Sequence, residues 1–149
     1  NCTIGPGCSI WPSAVLRGDN DSITLKSNVN VQDGAVIHVD TGHPAVLHDG
    51  VSIAHLAMVH GATIGENTLI GMQAIILNDV VIGKNCFLGP GVILTGRCKI
   101  GENVLLGAGT ICTPGIEIKS NSKIAAGIVV TSNINENTTM LLRQSIVKM

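Results

Sequence analysis

One register recurs every six residues. Counting from Ile64, the positions six apart are Ile64, Ile70, Ile76, Ile82, Leu88, Leu94, Ile100, Leu106, Cys112, Ile118, Ile124 and Val130. All but Cys112 are aliphatic, and a free cysteine behaves as a small apolar side chain. Four residues after each, the side chain is small or β-branched, as at Thr68, Ala74, Val80, Cys86, Val92, Cys98, Val104 and Thr110. The residue immediately after is repeatedly glycine, as at Gly65, Gly71, Gly83, Gly89, Gly101 and Gly107. A helix with 3.6 residues per turn cannot keep one face on a period of six, and a plain alternating strand gives no reason for the recurrent glycine. Short strands joined by tight turns satisfy both. Three hexads then make a coil of about eighteen residues, each stacked on the last at about 4.8 Å.

Upstream the spacing appears in pieces: Ile4, Ile10, Leu16; then Leu25, Val31, Ile37; then Leu47, Ile53, Val59. From Val59 to Ile64 the step is five. Extra residues enter at "RGDND" and "HVDTGHPA" and must bulge outward as loops. With 18 glycines and 1% aromatics, a core of small and β-branched aliphatics has to be packed regularly. The pattern resembles the left-handed parallel β-helix of the hexapeptide-repeat proteins. The hand comes from that resemblance, since the general rule for parallel crossovers favours the right.

The reading is one all-β domain over residues 1–149 that begins at Asn1 in mid-pattern, as if an N-terminal coil were truncated. The tail "INENTTMLLRQSIVKM", residues 134–149, leaves the period, with Asn137 placed to cap a short helix over 138–148, within 137–149, that closes the stack. Cys8, Cys86 and Cys98 take the small inward position, Cys112 the main aliphatic one, and Cys2 lies just ahead of the first coil. Packing explains all five, so no disulfide is expected, and without C-x-x-C there is no thiolate metal site.

The formal charge of −1 and the presence of only Trp11 and Phe87 as aromatics argue against a nucleic-acid partner. No apolar run approaches the roughly 20 residues that cross a membrane, and no signal segment opens the chain, so a cytoplasmic location is expected.

All five histidines lie between His38 and His60. His38 follows Ile37 and His60 follows Val59, so both point outward from the same face of successive coils, where two imidazoles can share a metal at about 2.1 Å from each nitrogen. His55, two after Ile53, belongs to a different edge. It reaches that metal only from a neighbouring chain, as in a trimer of parallel prisms, which would give a three-histidine site with room for water. His43, in the inserted loop, and His48 are read as solvent-facing, with His43 or Asp40 near enough to relay protons.

The motifs "SIWPSAVLRGD", "NVQDGAVIH", "VSIAHLAMVHG", "TLIGMQAII" and "IAAGIVVTS" resemble the γ-class carbonic anhydrase family over most of the chain. The resemblance implies a homotrimer that reversibly hydrates CO2 to bicarbonate by metal-hydroxide chemistry, with His38, His55 and His60 as ligands to Zn2+, or alternatively Fe2+ or Co2+. It implies that Gln32 hydrogen-bonds the reacting oxygen species, that Arg17, Asp19 and Asp33 form a charged network joining subunits beside the pocket, and that Asn30 belongs to the same motif. Asn20-Asp21 and the short "VDTGHPA" stand where the best-characterised branch has acidic loops with glutamates, and the chain has no tyrosine. A metal site with modest or absent hydration activity is therefore expected, rescued by imidazole buffer if proton export is the defect. The run "GPGVILTGRCKIGENVLLGAGTICTPG" extends the coil further than compact family members do. It keeps two alternatives open: a hexapeptide-repeat acyltransferase, and a non-catalytic metal-binding or assembly homologue.

Overall fold

The structure is a computed structural model that describes residues 1–142. Among these every regular element is a strand of two or three residues. The strands form three all-parallel sheets, the faces of a triangular prism. The first face runs from Cys2–Ile4 to Glu117–Ile118, the second from Ser9–Ile10 to Thr139–Met140, and the third from Val15–Arg17 to Val129–Val130. This is the β-helix of hexapeptide repeats that the sequence period predicts, with the left hand that the resemblance implied.

The period explains the register directly. Ile64 pairs with Ile82, and Ile82 with Ile100, eighteen residues on each time. The six-spaced column is buried throughout: Ile64, Ile70, Ile76, Leu88, Leu94, Leu106, Cys112, Ile118 and Ile124 have no exposed surface. Between coils the glycine column lets backbones touch. A Cβ added at Gly83 would lie 2.7 Å from the backbone of Gly101, where nothing flexible can give way. Cys86, Cys98 and Cys112 are buried free thiols, whereas Cys2 is exposed and sits within the first strand rather than ahead of it.

Every departure from eighteen falls at one corner, between the third face and the first. Leu16 pairs with Ile37 and Ile37 with Val59, so the first coils are longer, while Val59 pairs with Ile76, one residue short. The other two corners keep six-residue steps, as from Ile53 to Val59 and from Leu47 to Ile53. The loops after Arg17 and after His38 are thus stacked over a single edge of the prism.

The expected helix over 138–148 is not formed where it can be described. Thr139–Met140 is a strand paired with Lys123–Ile124, and Ile134 bridges Ile118. Asn137 has φ 57°, the left-handed conformation that Asn67, Asn85, Asn103 and Asn121 adopt at the same corner. "INENTTM" therefore repeats "IGENTLI", and Asn137 serves a turn instead of a helix cap. The rest of the expected helix, 143–149, lies outside the described residues.

Candidate metal centre

His38 and His60 are direct partners on adjacent strands, with Arg17 opposite His38 one coil below. They project outside the prism, yet His38 is only 9% exposed, because the two inserted loops close over it. Both point outward as the spacing predicts, and a side chain outside the barrel is still covered when the coils carry insertions beside it. The rings meet edge to face, centroids 4.7 Å apart, with His38 Nδ1 2.8 Å from His60 Nε2.

Both outer nitrogens are engaged. His38 Nε2 lies 3.1 Å from Asp19 Oδ1, and Arg17 NH1 donates to the other oxygen of that carboxylate at 2.5 Å. His60 Nδ1 bonds to Asn78 Oδ1, and Asn78 Nδ2 donates to Asp40 Oδ2 at 3.0 Å. A carboxylate and an amide carbonyl only accept, so each forces an N–H on the imidazole nitrogen it faces. Neutral imidazoles so held set His38 Nδ1 and His60 Nε2 facing each other as acceptors 2.8 Å apart, a contact that only a shared proton or a cation between them relieves. Zn–N bonds of about 2.0–2.1 Å set two ligand nitrogens about 3.4 Å apart, which a slight parting of the rings provides. His38, Asp40 and His60 each offer a ligand atom within 4.8 Å of the others. The donor set fits a divalent metal.

The carboxylates around the pair stay ionised. Partial desolvation acts to raise the pKa of Asp19, but hydrogen bonds from Arg17, its local backbone and His38 outweigh it, and the net shift is downward. Asp40 is lowered chiefly by the Asn78 amide. Asp21 is lowered by the backbone amides of Ser22 and Gly42, the latter 2.9 Å away, which ties the two inserted loops together. His43, expected to face solvent, keeps 36% of its side-chain surface exposed and also lies 2.7 Å from Asp79.

The remaining expected residues stand at another corner, between the second and third faces. His55 Nδ1 is 3.0 Å from Asp33 Oδ2, one coil below, which leaves Nε2 as the free donor atom. Trp11 meets its ring edge-on at 6.1 Å. Gln32 Nε2 donates to Asn30 Oδ1 at 2.8 Å, and Asn30 Nδ2 donates to Ser9 Oγ at 2.7 Å, so the amide of Gln32 is oriented before anything binds. Gln32 and His55 border a cleft of about 280 Å³ whose other walls include Leu69, Met72, Phe87 and Pro90. One protomer thus brings together Arg17, Asp19, His38 and His60, and separately Asn30, Gln32, Asp33 and His55. Sequence reasoning missed Asn78 altogether. It lies in the coil above His60, one residue past the register that pairs Val59 with Ile76, so the spacing alone did not single it out.

Residues 61–96 match the family described as "Bacterial transferase hexapeptide (six repeats)", and residues 97–132 match "Hexapeptide repeat of succinyl-transferase". A protein of Methanocaldococcus jannaschii called "Probable carbonic anhydrase" is 46% identical over 74 residues, covering 50% of this chain and 46% of that one. "Gamma carbonic anhydrase 1, mitochondrial" of Arabidopsis thaliana is 42% identical over 84 residues, covering 52% of this chain and 30% of the relative. The match therefore spans less than half the length of either. Among solved structures, a hexapeptide transferase family protein from Anaplasma phagocytophilum superposes with a TM-score of 0.64 at 30% identity, covering 84% of this chain and 63% of that chain. Over about half its length, then, this chain is similar to curated proteins named as carbonic anhydrases, among them γ-class proteins of Arabidopsis thaliana, and it carries paired histidines on a hexapeptide coil.

Proposed function

We propose that this chain reversibly hydrates CO2 to bicarbonate at a divalent metal held by His38 and His60 of one protomer and His55 of a neighbouring copy in a homotrimer. The observation that carries the reading is the approach of His38 Nδ1 and His60 Nε2 to 2.8 Å, with an acceptor behind each ring that favours a lone pair on the inner nitrogen. His55 supports it in the same way, since Asp33 leaves only its Nε2 to coordinate. A Zn2+, Fe2+ or Co2+ ion in that position would make bound water acidic enough to serve as nucleophile near neutral pH.

The chain's own residues do the rest. The apolar side of the cleft, from Leu69, Met72 and Phe87, suits an uncharged, poorly hydrated substrate such as CO2. Gln32, held by Asn30, offers an oriented amide to the reacting oxygens at the cleft edge. Arg17 and Asp19 act behind His38, building the site rather than entering the chemistry.

Mixing two disabled chains tests the arrangement. His38→Ala and His55→Ala homotrimers should each bind little zinc. Co-refolded, they should regain metal and CO2 hydration in a minority of sites, because some interfaces then pair an intact His38 and His60 with an intact His55. A mixture that regains neither would sink the shared site.

The similarity to a hexapeptide transferase structure over 84% of the chain favours a second reading, acyl transfer in a groove between prisms. Turnover of acetyl-coenzyme A by metal-free protein would select it.

A further inference from the structure

We propose that Asn78 is the positioning residue that sets His60 for metal binding, and that Asp40 in turn sets Asn78. The inference rests on the metal-site reading above but concerns a residue outside the ligand set. Asp40 Oδ2 is 3.9 Å from His60 Nδ1, too far for a direct hydrogen bond, so its influence on the ring passes through the amide between them. Asn78 Nδ2 donates to that carboxylate at 3.0 Å. The reverse amide orientation would set the Asn78 oxygen against a carboxylate oxygen, two acceptors with no proton to share. The charge of Asp40 therefore fixes which end of the Asn78 amide faces the imidazole. The oxygen faces it, so His60 Nδ1 must carry the proton and Nε2 must present its lone pair to His38.

The surroundings are built to hold this relay. Gly61, directly after His60, has φ +56°, and a Cβ there would lie 3.2 Å from Asn78 Oδ1 and 2.8 Å from the carbonyl oxygen of His43. The glycine thus admits both the amide and the loop that carries Asp40. That loop closes on itself through a bridge between Asp40 and His43, and His43 is fastened to Asp79, the neighbour of Asn78. From above, the Asn78 carbonyl accepts from Arg97 N at 3.0 Å.

The test uses the assembled protein and Zn2+ competed against a chromophoric chelator, alongside 15N NMR of the imidazoles in metal-free protein. Metal-free wild type should show His60 as the Nδ1–H tautomer. Asn78→Ala should weaken zinc binding about 10–100-fold and abolish that preference. The exchange variant Asn78→Asp with Asp40→Asn restores an acceptor to the ring and a donor behind it, and should return affinity to within a few-fold of wild type. Three results would overturn the proposal: an Nε2–H tautomer in wild type, a swap that rescues nothing, or full zinc affinity in Asn78→Ala with complete loss in Asp40→Ala. The last would make Asp40 a ligand. Wild type that binds no zinc would defeat the metal reading alone, because the tautomer measurement still judges Asn78.

Discussion

Cys112 shows what this core does to a single side chain. Burial, reinforced by the nearby Cys98, pushes its thiol from 9.0 up to about 12. Burial also raises Cys86 and Cys98. A raised thiol pKa means that between about pH 9 and 12 the unfolded chain has lost a proton which the folded chain retains, so stability falls as pH rises through that window. The urea midpoint should accordingly drop once pH exceeds about 9, and replacing Cys112 with Val should flatten the drop. Iodoacetamide applied below that pH should label exposed Cys2 and leave Cys86, Cys98 and Cys112 untouched until the protein unfolds, as peptide mass mapping would show. Rapid labelling of Cys112 in folded protein would contradict the burial argument.

At the scale of an element, each two-residue strand gains little on its own, and the turns determine where it ends. Asn85 holds φ 57° between the first and second faces, as Asn67, Asn103 and Asn121 do in neighbouring coils. Asparagine tolerates this region, while alanine there costs roughly 1–2 kcal/mol. Asn85→Ala should therefore lose about that much in urea unfolding and Asn85→Gly much less, because glycine enters the left-handed region freely. Equal losses would mean that the side-chain ladder, like the 3.2 Å bond from Asn103 to Asn121, matters more than the backbone.

For the whole molecule, Leu56 is the most informative residue. It sits at φ 58°, in the conformation that Gly34, Gly91 and Gly109 supply at the same corner of other coils, and its side chain is 61% exposed beside His55. A bulky apolar residue held at a strained position and presented to solvent implies a contact that compensates it. Val15, Met58 and Val129 add exposed apolar surface along the third face. In Leu56→Gly the relieved strain, about 1 kcal/mol, is roughly matched by glycine's entropy loss, so the protomer should still fold. In the proposed trimer, an interface through Leu56 predicts that the variant's assembly dissociates at higher protein concentration in sedimentation velocity and that zinc is lost with it. An assembly as tight as wild type would remove Leu56 from the interface.

The coil, the three faces, the inward columns and the stacking of His38 on His60 were all legible in the sequence. A hexad repeated many times leaves no freedom of register, because a one-residue slip would turn every inward Ile and Leu outward. The closing strand at Thr139–Met140 was legible too, in the likeness of "INENTTM" to "IGENTLI", but a lone Asn before Thr-Thr reads equally well as a helix cap. Only the tertiary structure decided the rest. The burial of His38 and the chain from Asp40 through Asn78 to His60 depend on how two irregular loops close over one corner, and the tie of Asp33 to His55 depends on side-chain contact between coils at another. Backbone period is a local property that each hexad restates. Hydrogen bonds between side chains on different coils depend on loop path and amide orientation, which no repeat encodes.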